Sequence, residues 1–156
     1  MESSHWSERH IVEWSQRLLE SYRHWIGQDL IDRAGDQDSQ ARRLFDATFV
    51  VVSHGMGADP ILNYGNQAAL NLWDLSWEDF ITTPSRLTAE ADDRAERERM
   101  LMQARVKGYY DRYRGVRISS TGRRFLVEQA VIWNVIDPAG HRIGQAATFS
   151  QWSYLG

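Results

Sequence analysis

The feature that most constrains this chain lies in its last third. There two tight-turn signals, Ser119-Ser120-Thr121-Gly122 and Asp137-Pro138-Ala139-Gly140, divide a run of strand-forming residues. The three segments, near 110–118, 123–136 and 142–150, are rich in Val, Ile, Phe, Tyr and Thr. Connections this short join antiparallel neighbours, because a parallel pair needs a long crossover. Asp137 at the first position, Pro138 at the second and Gly140 at the last fit a type I turn. The chain must therefore hold a three-stranded meander. At full extension its middle strand would be about 46 Å long, so it is expected to bend or bulge.

Upstream the pattern changes period. Over residues 7–31, Ile11, Leu18, Leu19, Tyr22, Trp25, Ile26 and Leu30 recur at steps of three and four, the mark of an amphipathic helix. Glu13 and Arg17 are spaced for an exposed helical ion pair. Two uses of the stripe stay open: packing on the parent domain, or a homodimer contact through this helix. Residues 34–40 are polar and read as a linker. Thr48–Ser53 is a short β-branched run typical of a central strand covered on both faces, and Ile61–Tyr64 is a candidate second strand. Asn66 and Ser76 are natural caps for two short helices. Residues 89–107 form a charged helix with Thr88 as cap and with Glu90–Arg94 and Asp93–Arg97 pairs on a solvated face.

Counting back from a four-residue turn at Asp137–Gly140 places Trp133 opposite Gly144, Val131 opposite Ala146 and Gln129 opposite Thr148. Phe125, Val127, Val131, Trp133 and Val135 then share one side of the pleat with the small residues Gly144, Ala146, Thr148 and Ser150. Those small residues either make room for the Trp133 indole and the helices above, or leave a cavity with Gln129 and Thr148 as its polar groups. A slip of one residue would instead turn Ile132, Asn134 and Gln145 inward.

Composition excludes several classes of function. Among 156 residues there is no cysteine, so disulfides, thiolate metal sites, a cysteine nucleophile and a cysteinyl-flavin adduct are all ruled out. A formal net charge of −3 and the lack of a basic stripe argue against a nucleic-acid partner. No apolar run approaches a membrane span and no signal peptide is evident, which points to a cytoplasmic protein. The histidines His5, His10, His24, His54 and His141 form no metal-ligand pair, and the 89–107 helix carries none that could hold haem. His54, at a strand end, is the one best placed for function. No nucleophile elbow, Walker loop or dinucleotide fingerprint is present. Asp111 and Tyr113 could serve acid–base chemistry in a small cone-shaped α+β isomerase or hydrolase, a weak signal that any strand-borne Asp would give.

The order is helix, two strands, short helices, a longer helix and a meander: an α+β domain whose helices cover one face of a five-stranded antiparallel sheet. The blocks "FVVVSHG", "DPILNYGNQAALNLW", "WEDF", "TPSRLTAE", "GVRISSTGRRF" and "GQAATFSQW" resemble the MEKHLA domain, from about Phe49 to Trp152. That family is PAS-like and occurs in stand-alone bacterial proteins, the form this chain resembles more, and in plant homeodomain–leucine zipper regulators. The resemblance implies a PAS-like fold and a sensory or regulatory role, with no catalytic or ligand residues to carry over.

The expected organisation is a helical extension over 1–33, a linker and lead-in over 34–47, and a PAS-like domain over 48–152. The expected function is a sensory module that binds a small organic molecule noncovalently or mediates protein contact; a ligand-free homodimerisation domain is the alternative. Tyr64, Trp73, Trp77 and Arg86 are the candidate lining on the helical side. Gln129, Trp133 and Thr148 are the candidates on the sheet side, with His54 nearby.

Overall fold

The computed structural model describes residues 5–89 and 94–156. After a short 3-10 turn at His5–Ser7 come α1 (Arg9–Ile26), α2 (Gln37–Phe45), β1 (Val50–His54), β2 (Leu62–Gly65), α3 (Gln67–Trp73) and α4 (Trp77–Phe80). Another 3-10 turn (Ser85–Thr88) leads to α5 (Arg94–Lys107), β3 (Tyr109–Ile118), β4 (Arg124–Ile136), β5 (Arg142–Phe149) and β6 (Gln151–Tyr154). The strands form one antiparallel sheet in the order β2-β1-β5-β4-β3, and β6 also pairs with β4.

The meander stands, with one more strand than the turns announced. Gln129 adopts a left-handed backbone, φ 54°, and splits β4 in two. Val131–Ile136 pair with β5, whereas Phe125–Glu128 pair with β6 beyond a bend at Ser150. The expected bend of the long strand is this bulge, which rotates the pleat so that side chains before and after it face opposite sides.

Both sides of the sheet are covered. On one, Trp73 of α3 packs edge-on against Phe125 and Phe149, ring centroids 5.4 and 6.1 Å apart. On the other, α1 buries Ile11, Val12, Ser15, Leu18 and Leu19, a one-sided helical set, and Tyr22 meets Trp133 edge-on at 5.1 Å. Of the two uses of the α1 stripe, packing on the parent domain is the one seen. Its outward face carries Arg9, His10, Glu13, Glu20, Arg23 and His24, all exposed. Arg17 pairs with Glu20 at 3.1 Å rather than with Glu13. The helix stops at Ile26 because Gly27 takes φ 84° and closes a left-handed C-cap, short of the expected end near residue 31.

Polar bonds tie α1 to the sheet. Trp14 Nε1 donates to Ser53 Oγ at 2.9 Å, Trp25 Nε1 donates to the Asn134 carbonyl at 2.9 Å, and Ser21 Oγ accepts from the Ile136 amide at 2.8 Å. Gly144 lets the Trp14 indole come close: a Cβ there would lie 2.5 Å from the His54 carbonyl oxygen and 3.0 Å from Trp14.

Two expectations fail upstream of the sheet and in its second half. Residues 37–45 form a helix, not a linker, because Asp36 accepts from the Ser39 amide as its N-cap. A buried cluster then holds it: Gln16 Nε2 and Arg33 Nε both donate to Gln40 Oε1, at 3.0 and 2.6 Å, and Arg33 Nη2 donates to Gln16 Oε1 at 3.0 Å. Thr88 does not cap α5; its hydroxyl donates to the Ser85 carbonyl at 2.7 Å, and the next residue, Ala89, is extended and bridges to Arg117. The Glu90–Arg94 and Asp93–Arg97 pairs lie outside the described residues.

Candidate functional site

Asn66 and Ser76 cap α3 and α4 as expected, accepting from the Ala69 and Asp79 amides, each at 3.2 Å. Asn66 also donates to the Phe49 carbonyl at 2.8 Å and accepts from the Val51 amide at 3.1 Å, which fixes α3 to β1. Trp73 is thereby laid across the sheet. Beneath α3 and α5 the packing leaves a chamber of about 50 Å³. Its wall is largely apolar: Leu62, Trp73, Phe80, Ile132, Ala147 and Phe149 supply much of it.

Some polar groups reach this space. Trp73 is 3% exposed and its Nε1 has no hydrogen-bond partner among the described residues. Arg117 donates to Thr88 Oγ1 at 3.2 Å and lies over the Tyr113 ring at 5.1 Å. Gln145 donates to Asn134 Oδ1 at 3.2 Å, and Asn134 Nδ2 donates to the Ala104 carbonyl at 3.2 Å, so one wall of the chamber joins β5, β4 and α5.

At the His54 end the chamber meets a wider cavity of about 420 Å³ between the β1–β2 loop, α5 and β5. His54, Ser85, Leu101 and Gln145 line both spaces. His54 is 9% exposed, and its Nδ1 donates to the Gly55 carbonyl at 2.8 Å. Arg86, paired with Asp59 at 3.1 Å, lines this cavity together with Arg105 and Arg142. Burial, and then the neighbouring Arg105 charge, pull the Arg142 guanidinium below its ordinary pKa.

The structure separates the candidate residues from one another. Trp73 and His54 line the chamber, and Arg86 lines its wider mouth with His54. Tyr64 and Trp77 pack edge-on with centroids 5.9 Å apart; Trp77 also meets Phe45 and stacks on His5, which puts both on the N-terminal side. Burial, and secondarily the charge of Asp46, raise the Tyr64 hydroxyl above its ordinary pKa. Trp133 and Thr148 also lie on the α1 side, Thr148 donating to the Val50 carbonyl at 2.8 Å. Gln129 is exposed on the bulge it creates. Tyr113 lines the chamber while Asp111 is exposed, so the acid–base pairing of those two is not assembled.

The register explains these displacements. Trp133 faces Ala146 and Val131 faces Thr148, two residues from the count. The hairpin closes between Asp137 and His141 around Gly140 at φ 90°, and the pairing shifts again between Val135 and Ile136. A two-residue slip preserves the face, so Trp133, Gly144, Ala146 and Thr148 do share a side. That side is filled by α1. Ile132, Asn134 and Gln145, the alternative set, point the other way, toward the chamber and α5. Sequence reasoning missed Leu101, Arg105, Tyr113, Arg117 and Arg142; only Tyr113 had drawn notice, for different chemistry.

The sheet order, the helical layer and the chamber between them coincide with a match to the model of the MEKHLA domain over residues 12–154. The chain belongs to the MEKHLA domain family. The match begins inside α1, so this MEKHLA domain includes the helix that covers the second face of the sheet. The chain is 28% identical to the Arabidopsis thaliana homeobox-leucine zipper protein REVOLUTA over 158 residues, which is 92% of this chain and 18% of that one. It is 25% identical to ATHB-15 of the same plant over 147 residues, 88% of this chain and 17% of that protein. The chain thus spans less than a fifth of the length of these curated relatives.

Solved structures share its fold. A PAS domain from Colwellia psychrerythraea superposes with a TM-score of 0.64 at 12% identity, over 72% of this chain and 93% of that one. A light-oxygen-voltage domain studied with a flavin analogue gives 0.59 at 14% identity, covering 76% and 85%. A PAS domain from a two-component sensor histidine kinase gives 0.56 at 18%, covering 73% and 91%. The fold is PAS-like. Among the described residues no helix is long and apolar enough to cross a membrane.

Proposed function

We propose that this MEKHLA domain is a sensory module that reads a small organic molecule held without a covalent bond in the chamber beneath Trp73 and the wider cavity it meets at His54. The observation that carries this is the chamber itself: an apolar space walled in part by Trp73, whose buried Nε1 has no partner among the described residues. An unsatisfied buried donor costs stability, and a ligand acceptor would recover it. A PAS-like fold in a family shared with plant homeobox-leucine zipper proteins supports a regulatory role.

Hydrogen bonds offer a route out of the chamber. Gln145 contacts Asn134, whose carbonyl receives Trp25 of α1, and Ser53 of β1 joins Trp14 of α1 to Asn63. Occupancy that shifts β4 or β5 would therefore be felt by α1 and by any protein that meets its polar face. Against a homodimer built on the apolar stripe of α1 stands the fact that the sheet already covers that stripe.

The test is native mass spectrometry of the purified protein, paired with a thermal-shift screen of small apolar compounds. A noncovalent adduct that disappears on denaturation, and a raised Tm with the same compound, are expected. An adduct-free protein that no compound stabilises would overturn the proposal.

A further inference from the structure

We infer that the ligand is an amphipathic acid: its apolar body enters the chamber and its carboxylate is held at the mouth by Arg105 and Arg142. The inference rests on the chamber being a ligand site, and adds the chemical class. The chamber and the wider cavity share His54, Ser85, Leu101 and Gln145, so one molecule can occupy both. One end is apolar, with Trp73, Phe80, Tyr113 and Phe149 among its walls. The other presents guanidinium groups.

The charges at the mouth are unbalanced. Its ionisable groups are Arg86, Arg105, Arg142, Asp59, Glu98 and His54. Arg86 is occupied by Asp59, with Nε 3.1 and 3.3 Å from the two carboxylate oxygens. Among the described residues neither Arg105 nor Arg142 has a carboxylate within 4.0 Å. Among the described residues Arg142 Nη1 donates to Met56 Sδ alone, at 3.4 Å, a weak acceptor, and its buried Nε has no partner. A planar guanidinium with a vacant, desolvated N–H is matched by a carboxylate, which accepts in the same plane. A cationic amphiphile would be repelled there, and a neutral alcohol would leave the mouth with an excess of positive charge, three guanidinium groups against the carboxylates of Asp59 and Glu98.

The probes are phenylpropanoate, its neutral analogue phenylpropanol, phenylpropylammonium and acetate, each titrated against the full chain by intrinsic tryptophan fluorescence and calorimetry. Phenylpropanoate is expected to bind at least about 10-fold more tightly than the alcohol, a difference that about 1.4 kcal/mol of head-group contact produces. The ammonium compound and acetate alone should not bind measurably. In Arg105→Gln/Arg142→Gln the acid should fall to the affinity of the alcohol, whose own binding is unchanged. Arg105→Gln alone alters an exposed side chain and should give part of the loss; it keeps the test valid if the double variant does not fold. Ala147→Leu, which fills the chamber, should weaken the acid and the alcohol alike.

Equal affinity for acid and alcohol, untouched by the arginine variants, overturns the acid inference and leaves the chamber proposal standing. Loss of acid binding in Arg117→Gln but not in the Arg105/Arg142 variants also overturns it, by moving the head group to the opposite end. Acid binding that survives Ala147→Leu and is matched by acetate reduces the mouth to a plain anion site and overturns it too. Absence of binding by all four probes overturns the acid inference, while the chamber proposal stands or falls on the native mass spectrometry and the thermal-shift screen.

Discussion

Trp73 and Trp133 lie on opposite faces of one sheet, Trp73 against Phe125 and Phe149 beneath α3 and Trp133 against Tyr22 of α1. Substituting each should therefore have different consequences. Trp73→Phe removes the unpartnered indole donor from the chamber wall and should weaken any ligand held there. Trp133→Phe should lower Tm without changing ligand affinity. Truncation of either to Ala should cost about 3–5 kcal/mol, as for large buried aromatics. Denaturant unfolding and ligand titration on the same four variants check both statements; equal loss of ligand affinity at the two positions would refute the separation of faces.

The bulge in β4 gives a prediction of the opposite sign. Gln129 is an exposed non-glycine residue at φ 54°, a conformation that costs roughly 1–2 kcal/mol for a residue with a Cβ. Gln129→Gly should raise Tm, whereas Gln129→Val, β-branched and still more restricted there, should lower it. Differential scanning calorimetry of the pair is sufficient.

Close approach of α1 to the sheet depends on Gly144. Gly144→Ala places a methyl group against the His54 carbonyl, which is backbone and cannot swing aside. Destabilisation of about 1–3 kcal/mol is expected from overpacking of this kind. Amide exchange should rise in α1 and along the β1–β5 ladder before it rises in β3.

The Gln16–Arg33–Gln40 cluster holds α1 to α2. Arg33→Ala leaves Gln16 Oε1 without its donor, while Gln40 Oε1 keeps Gln16 Nε2, at a cost of about 1–3 kcal/mol. Gln16→Leu combined with Gln40→Leu removes both amides together and should be milder than the sum of the single changes. A double-mutant cycle in urea reads the coupling.

Asp137 sets the acid sensitivity of the last hairpin. The amides of His141 and Ala139 donate to its carboxylate at 2.9 and 3.0 Å and, with the His141 amide contributing most, hold its pKa below the ordinary value. A depressed carboxylate contributes stability at pH values above its unfolded pKa and loses it as pH falls through the folded one. Asp137→Asn should flatten the decline of Tm in that acid window and leave the neutral range nearly parallel to wild type. An unchanged acid slope would show that the turn carboxylate does not matter.

Legibility in the sequence followed the range of the interaction. Asn66 and Ser76 announced their helices because a cap acts over three residues, and the Ser119–Gly122 and Asp137–Gly140 turns announced the meander for the same reason. Helix α2 was hidden because Asp36, Asp38 and Ser39 look like loop residues until Asp36 is seen capping and Gln40 is seen bonded to Gln16 and Arg33. Of the candidate site residues, Trp73 and His54 reached the chamber; Tyr64, Trp77, Trp133 and Thr148 went to the other side, and Gln129 to the surface. Arg105 and Arg142 could not be paired from the sequence, since 37 positions separate them and only the α5–sheet packing brings them to one cavity.

By itself the sequence determined the α+β class, the antiparallel meander, the amphipathic first helix and the exclusion of cysteine chemistry. Each of these follows from side-chain period, turn chemistry or the absence of a thiol from the sequence. Tertiary structure alone decided which face each residue meets. A single left-handed residue at Gln129 reverses the pleat halfway along β4, and α1 makes a second interior of the face that would otherwise be outside. With both faces buried, apolar character no longer tells one side from the other. The aromatic side chains that looked like one cluster are therefore divided between a chamber and a helix interface.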